Sequence, residues 1–289
     1  MKFTRYFLIC ISIFLWISCG SDKDVKDILS KSDALLQSNP DSAFTLLESV
    51  EELDVLSDET FAAWCLANAN VRDILFKEPL STDYMLRAFN YFKNKGRINE
   101  QARIGMFLGH AYNASQQRDK AMNIYLVALD LADRSQDYNL AGYINTYLAD
   151  QYKFEEKYNQ AKEKYQEAAT YFEKANNLRS RVIAMTNTGF MSFFLKENDN
   201  IVLNYYTLSD SLALELKDSV VSSMVNNRIA LFYRVQEKYD LAEKYWKLGV
   251  EKDDVVSMGN LGAFYARHEN EELAEKMLKA AIEKKDVTS

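Results

Sequence analysis

The sequence predicts an all-α chain built as a solenoid of antiparallel helix pairs. Three observations carry this. Only 2 prolines and 9 glycines occur among 289 residues, so breakers are too few for anything but long helices with short connections. From Asp24 to Lys285 there is little of the apolar–polar alternation of a half-buried strand. The chain also resembles itself. Leu108-Gly109, Tyr112, Ala121, Tyr125 and Ala128 recur 40 positions on as Leu148-Ala149, Tyr152, Ala161, Tyr165 and Ala168.

The first twenty residues have the layout of a secretory signal. Lys2 and Arg5 precede an apolar stretch from Phe7 to Ile17, then Ser18-Cys19-Gly20 and a polar run. The stretch is shorter than the roughly 20 residues a spanning helix needs, although a short N-terminal anchor has the same appearance. Trp16-Ile17-Ser18-Cys19 resembles the lipobox of a bacterial lipoprotein signal of the Bacteroidota type, with Trp16 standing where that family has a leucine-like residue. The resemblance implies a signal peptide over 1–18, acylation (palmitate among the chains) at Cys19, an anchored linker over 19–23, and an outer-membrane lipoprotein facing the periplasm or the cell surface.

Residues 24–100 read as two divergent hairpins that cap the array. Helices are expected over 24–37, 42–51, 61–76 and 81–93, with Asn39-Pro40-Asp41-Ser42 as a turn and helix start. Residues 101–285 read as five repeats. The third is degenerate, with Gly189, Ile201, Tyr205 and Leu208 placed by the 40-residue step. The others recur at Ile229-Ala230, Tyr233, Ala242, Trp246, Gly249 and at Leu261-Gly262, Tyr265, Ala274, Leu278, Ala281. In each, the first three positions share a face of one helix and the last three a face of the next. Small residues let the helices approach, aromatics fill the gap to the following pair, and a lone hairpin cannot bury its apolar face. The tail 286–289 reads as frayed.

This alternation of small and large positions resembles the tetratricopeptide repeat, with periods of 40 and 32 in place of the usual 34. The resemblance implies a right-handed superhelix whose first helices line a groove, and a protein or peptide partner held there. The pattern Leu35-Leu36 through Asn39-Pro40 to Ala43, closing in Leu46-Leu47-Glu48, resembles the opening of Bacteroidota lipoproteins with such repeats, some of them similar to signalling proteins.

Composition narrows the function. The net charge of −7 and the lack of a basic block exclude unaided nucleic-acid binding. His110 and His268 are far apart, and Cys65 sits alone between Trp64 and Leu66 as a buried, inert thiol, so no metal site, cofactor or nucleophile is read. Glu51-Glu52, Glu155-Glu156 and Glu271-Glu272 are adjacent carboxylates, which do not face each other on a helix. The chain is therefore expected to bind and not to catalyse.

The candidate groove residues are Asn113, Asn145, Asn187 and Asn227, with Asp150 and Asn226 near them. An asparagine amide can clamp a peptide backbone by donating and accepting at once, or it can tie neighbouring helices together; both readings stand. Arg103, Lys153 and Arg228 add positive charge for an acidic partner. The preferred function is a membrane-tethered scaffold that binds a polypeptide. The alternatives are a sensory or regulatory component of a signalling system, and ligand capture within a nutrient-uptake complex. The last repeat leaves an apolar face on which a second copy is expected to dock.

Overall fold

The computed structural model describes the backbone of residues 22–288 and side chains as far as residue 285. The expected signal 1–18, the attachment residue Cys19 and residues 20–21 of the linker lie outside the described residues, as does Ser289. No strand occurs among the described residues. Contacts divide the chain into two compact units, Met1–Leu140 and Ala141–Ser289.

The first unit holds α1 (22–35), α2 (Pro40–Glu48), a single 3-10 turn (Leu53–Val55), α3 (Asp58–Ile74), α4 (Thr82–Lys95), α5 (Ile98–Ala114) and α6 (Arg118–Arg134). The division falls inside α7 (Tyr138–Phe154). The second unit continues with α8 (Tyr158–Lys174), α9 (Leu178–Phe194), α10 (Asp199–Leu216), α11 (Ser219–Val235), α12 (Tyr239–Val250), α13 (Val255–Arg267) and α14 (Glu271–Thr288).

Local chemistry sets the helix starts. Pro40 opens α2, two residues before the expected start, because its fixed φ suits the first helical position and its missing N–H costs nothing there. The Asn39 side chain accepts from the Ser42 amide at 3.1 Å. Ser57 and Ser81 cap α3 and α4 in the same way. The Trp64 Nε1–H donates to the Leu47 carbonyl at 2.8 Å and ties α3 to α2. Burial pushes the Cys65 thiol up to about 12, with Arg87 pulling weakly the other way, so the thiol stays protonated and unreactive.

The helix ends share a different device. Gln116 in the first unit has φ 60, and Glu156, Lys196 and Glu237 in the second have φ 57, 54 and 57. In each case the next amide reaches back to a last-turn carbonyl: Gln117 to Tyr112 (2.8 Å), Lys157 to Tyr152 (2.9 Å), Glu197 to Ser192 (3.1 Å) and Lys238 to Tyr233 (2.9 Å). This is a Schellman closure made without glycine. A side chain in the left-handed region costs about 1 kcal/mol, and the recovered hydrogen bonds offset it.

Within each pair, a small residue on the first helix meets a large one on the second. A Cβ on Gly109 would stand 2.2 Å from Cε1 of Tyr125, so α5 and α6 approach as closely as they do only because position 109 is bare. In the second unit Ala149 faces Tyr165 and Ala230 faces Trp246, all at 1% exposure or less. Gly262 packs against Leu278.

The third pair keeps this rule but shifts its register. Val202, Tyr206, Ser209 and Ala213 are buried, whereas Ile201 and Leu208 are 44% and 45% exposed. The expected core set Ile201, Tyr205, Leu208 is therefore corrected by one position. The cause is the link: α9 ends at Phe194 and α10 starts at Asp199, leaving one residue more than between Phe154 and Tyr158. Asn198 fills it as the cap of α10, its side chain accepting from the Asn200 amide at 2.9 Å. The Tyr206 ring then lies against Gly189.

α14 runs to Thr288. Lys284 pairs with Asp253 and anchors the last turns to the α12–α13 link, and a cation near a helix C-terminus complements its dipole.

Candidate functional site

In the second unit the first helices of successive pairs are α7 (from Ala141), α9, α11 and α13, and α11 packs against both α9 and α13. Their side chains that do not enter the pair interiors carry three polar groupings.

The first is a satisfied network. The Tyr165 hydroxyl donates to Asp150 Oδ1 at 2.6 Å, and Lys153 Nζ donates to the same oxygen at 2.5 Å and to the Tyr165 oxygen at 3.2 Å. Burial, then the Asp150 charge and hydrogen bond, raise the Tyr165 phenol well above its ordinary range, so it remains a donor.

The second is a helix tie. Asn227 Oδ1 accepts from Trp246 Nε1 at 3.0 Å and from Asn260 Nδ2 at 2.7 Å. One carbonyl thus joins α11, α12 and α13.

The third lies between them. The Arg228 guanidinium carbon is 3.9 Å from the centroid of the Phe190 ring, a close cation–π contact. Arg228 is half-buried. Burial pulls its guanidinium below the ordinary value, while the nearby Tyr206 and Tyr165 phenols act in the other direction. Asn187, also half-buried, makes no hydrogen bond with a described residue.

The expected groove residues thus separate. Lys153, Asn187 and Asn227 lie on first helices of the second unit, accessible in part. Asn145 is 0% exposed; its Nδ2 donates to the Ala141 carbonyl at 3.1 Å and its Oδ1 has no partner among the described residues, so it faces the interior and not a groove. Asn226 is likewise buried. Arg103 and Asn113 are exposed on α5 of the first unit, Arg103 with its Nη2 3.6 Å from Asp137. Arg103 also stands at the rim of a 570 Å³ cleft floored by Leu29, Leu66 and Phe92, a feature the repeat pattern does not signal. Phe190 and Tyr206 were missed as site residues; the clue was an aromatic directly after the small Gly189. No cluster of metal-ligating side chains occurs among the described residues. On α14, Leu278 and Ile282 are 39% and 61% exposed, the face on which a second copy was expected.

No curated protein sequence matches the chain. Among solved structures, the apo form of RapI superposes with a TM-score of 0.66 at 16% identity, over 90% of this chain and 97% of that one. A Rap protein complexed with Competence and Sporulation Factor gives 0.60 at 13% identity, over 90% and 74%. The apo quorum sensor NprR from B. thuringiensis gives 0.59 at 14%, over 91% and 76%. These likenesses establish the all-α, tetratricopeptide-like fold expected from the repeats.

They also correct the expected outer-membrane location. The three chains just named are described as Rap proteins and a quorum sensor. No described helix is long and apolar enough to cross a membrane. Residues 39–185, just over half of the 289, match the family model described as "Soluble NSF attachment protein, SNAP"; by that match the chain, with its paired helices and small-to-large packing, belongs to the soluble NSF attachment protein family.

Proposed function

We propose that the chain is a regulatory component that binds an extended polypeptide on the first-helix face of its second unit, and that it acts by binding and not by catalysis. One observation carries this reading: on that face the Asn187 amide and the Arg228 guanidinium are half-buried and make no hydrogen bond to described residues. Polar groups that solvent reaches and that no described residue engages are available to a ligand, and an amide suits a peptide backbone because it donates and accepts together. The Rap protein crystallised with Competence and Sporulation Factor and the quorum sensor NprR favour a signal-responsive role over a passive scaffold. A second reading, small-ligand capture, rests on the cleft of 570 Å³ in the first unit.

The test is retention of peptides from a random heptapeptide library by the folded full chain, read by mass spectrometry. Asn187→Ala is expected to weaken binding of the retained peptides about tenfold, the loss of one to two backbone hydrogen bonds. A folded chain that retains no peptide, or an Asn187→Ala form that retains the same peptides equally well, overturns the reading.

A further inference from the structure

The solvent side of α10 lacks the charges that the neighbouring second helices carry. Every exposed residue from Asn200 to Leu214 is uncharged, and Ile201, Leu208 and Leu214 among them are 44%, 45% and 63% exposed. By contrast α8 exposes Glu163 and Glu167, and α12 exposes Lys244 and Lys247. The one charged residue within that stretch of α10, Asp210, is half-buried with the Lys252 charge near it. Ile201, Tyr205, Leu208 and Leu212 follow one another at steps of four, three and four, so they form one stripe along the helix. The hydroxyls beside the stripe are bonded internally: Thr207 donates to the Leu203 carbonyl at 2.9 Å and Ser211 to the Thr207 carbonyl at 3.0 Å. Both groups can leave water without losing a partner. Depletion of charge around exposed apolar side chains is the composition of an interface centre and not of a solvated face.

We propose that a second copy of this chain covers the stripe, with the two α10 helices antiparallel about a two-fold axis at Leu208. Three features select a second copy. The chain carries a net charge of −7, so two copies repel over most of their surfaces and meet at least cost where exposed charge is absent. The stripe complements itself. Leu208 lies midway between Asp199 and Lys217, so an antiparallel pair sets each Asp199 against Lys217 of the other copy and opposes the two helix dipoles. Asp199 Oδ1 already accepts from Gln236 at 3.1 Å, which holds the carboxylate at the start of the helix. Third, no cation occurs between Asn200 and Leu214 to meet anionic lipid headgroups. This face is separate from the first-helix face of the peptide reading, and the two stand independently. A single helix face is small beside the interfaces of stable dimers, so the equilibrium is expected in the micromolar range.

Sedimentation equilibrium of the full chain over a micromolar concentration series tests this, beside Leu208→Glu and Ile282→Glu forms checked for helical content by circular dichroism. The wild-type chain and Ile282→Glu are expected to move toward twice the chain mass as concentration rises, and Leu208→Glu to associate about tenfold more weakly or less. A wild-type chain that stays monomeric, or association that Leu208→Glu leaves unchanged, overturns the proposal. Association lost only in Ile282→Glu moves the second copy to α14 and overturns it equally. A crosslinking arm checks the axis even where Leu208→Glu fails to fold. In a chain carrying Cys10→Ser and Cys19→Ser, Leu208→Cys is expected to give a reducible dimer under mild oxidation. Ile201→Cys, on the same stripe but about 10 Å along the helix from the axis, is expected to give none. No crosslink through Leu208→Cys, or equal crosslinking of the two forms, overturns the two-fold seam.

Discussion

Trp246 donates its indole N–H to Asn227 at 3.0 Å, and that same asparagine oxygen accepts from Asn260 at 2.7 Å. Asn227 is therefore a structural joint, in contrast to Asn187 on α9, which makes no hydrogen bond with a described residue. Asn227→Ala leaves the buried indole N–H unpaired and is expected to cost about 1–3 kcal/mol. Asn187→Ala is expected to change stability by less than about 0.5 kcal/mol. Urea denaturation of both variants separates the roles; equal losses would mean that the tie at 227 is not formed in solution.

The register of α10 makes a sharp contrast between neighbours. Tyr206 is 1% exposed against Gly189, whereas Tyr205 is half-exposed and accepts a hydrogen bond from Gln166 at 2.7 Å. Tyr206→Ala is expected to cost about 3–5 kcal/mol and Tyr205→Ala less than about 1 kcal/mol. Thermal and chemical denaturation read both. The reverse order would restore the register obtained by stepping 40 residues from the preceding repeat.

Ser209 is 0% exposed and its hydroxyl finds no partner among the described residues. Ala168 holds the same place in the preceding pair, also at 0%. A buried hydroxyl without a partner costs about 1–3 kcal/mol, and alanine is the better helix former. Ser209→Ala is expected to stabilise the second unit by about 1 kcal/mol, seen as a higher urea midpoint with unchanged slope. A lower midpoint would show that the hydroxyl is in fact bonded.

Burial pushes the His110 imidazole down to about 4, and its Nδ1 lies 3.7 Å from Asp73. Below about pH 6.5 the unfolded chain takes a proton that the folded ring refuses. Stability should therefore fall as pH drops from about 6.5 toward 4, by about 3 kcal/mol at most. Burial raises Asp73 above its ordinary value; that carboxyl works in the opposite sense, with its effect at lower pH. His110→Gln should flatten the dependence between pH 6.5 and 5 in urea midpoints measured across that range. Parallel slopes for the two proteins would assign the pH dependence to other groups.

The helix pairs were legible because their signal is repeated: Ala149 with Tyr165 and Ala230 with Trp246 sit at the same internal spacing. The α10 register was not, because a fixed step of 40 carries no information about a link one residue longer at Asn198. The candidate face was half legible. Lys153, Asn187 and Asn227 fall on it by helical phase, but the same phase could not show that Asn145 turns inward. Nor could it reveal Phe190 beneath Arg228, since that contact joins α9 to α11 across many residues of chain.

The extra residue before α10 has a wider consequence. The link absorbs it: Val202, Tyr206 and Ser209 take the buried places that Ala161, Tyr165 and Ala168 hold in the preceding pair. Links of unequal length can therefore join equivalent helix pairs, and the spacing of the array in sequence need not be constant for its stacking to be.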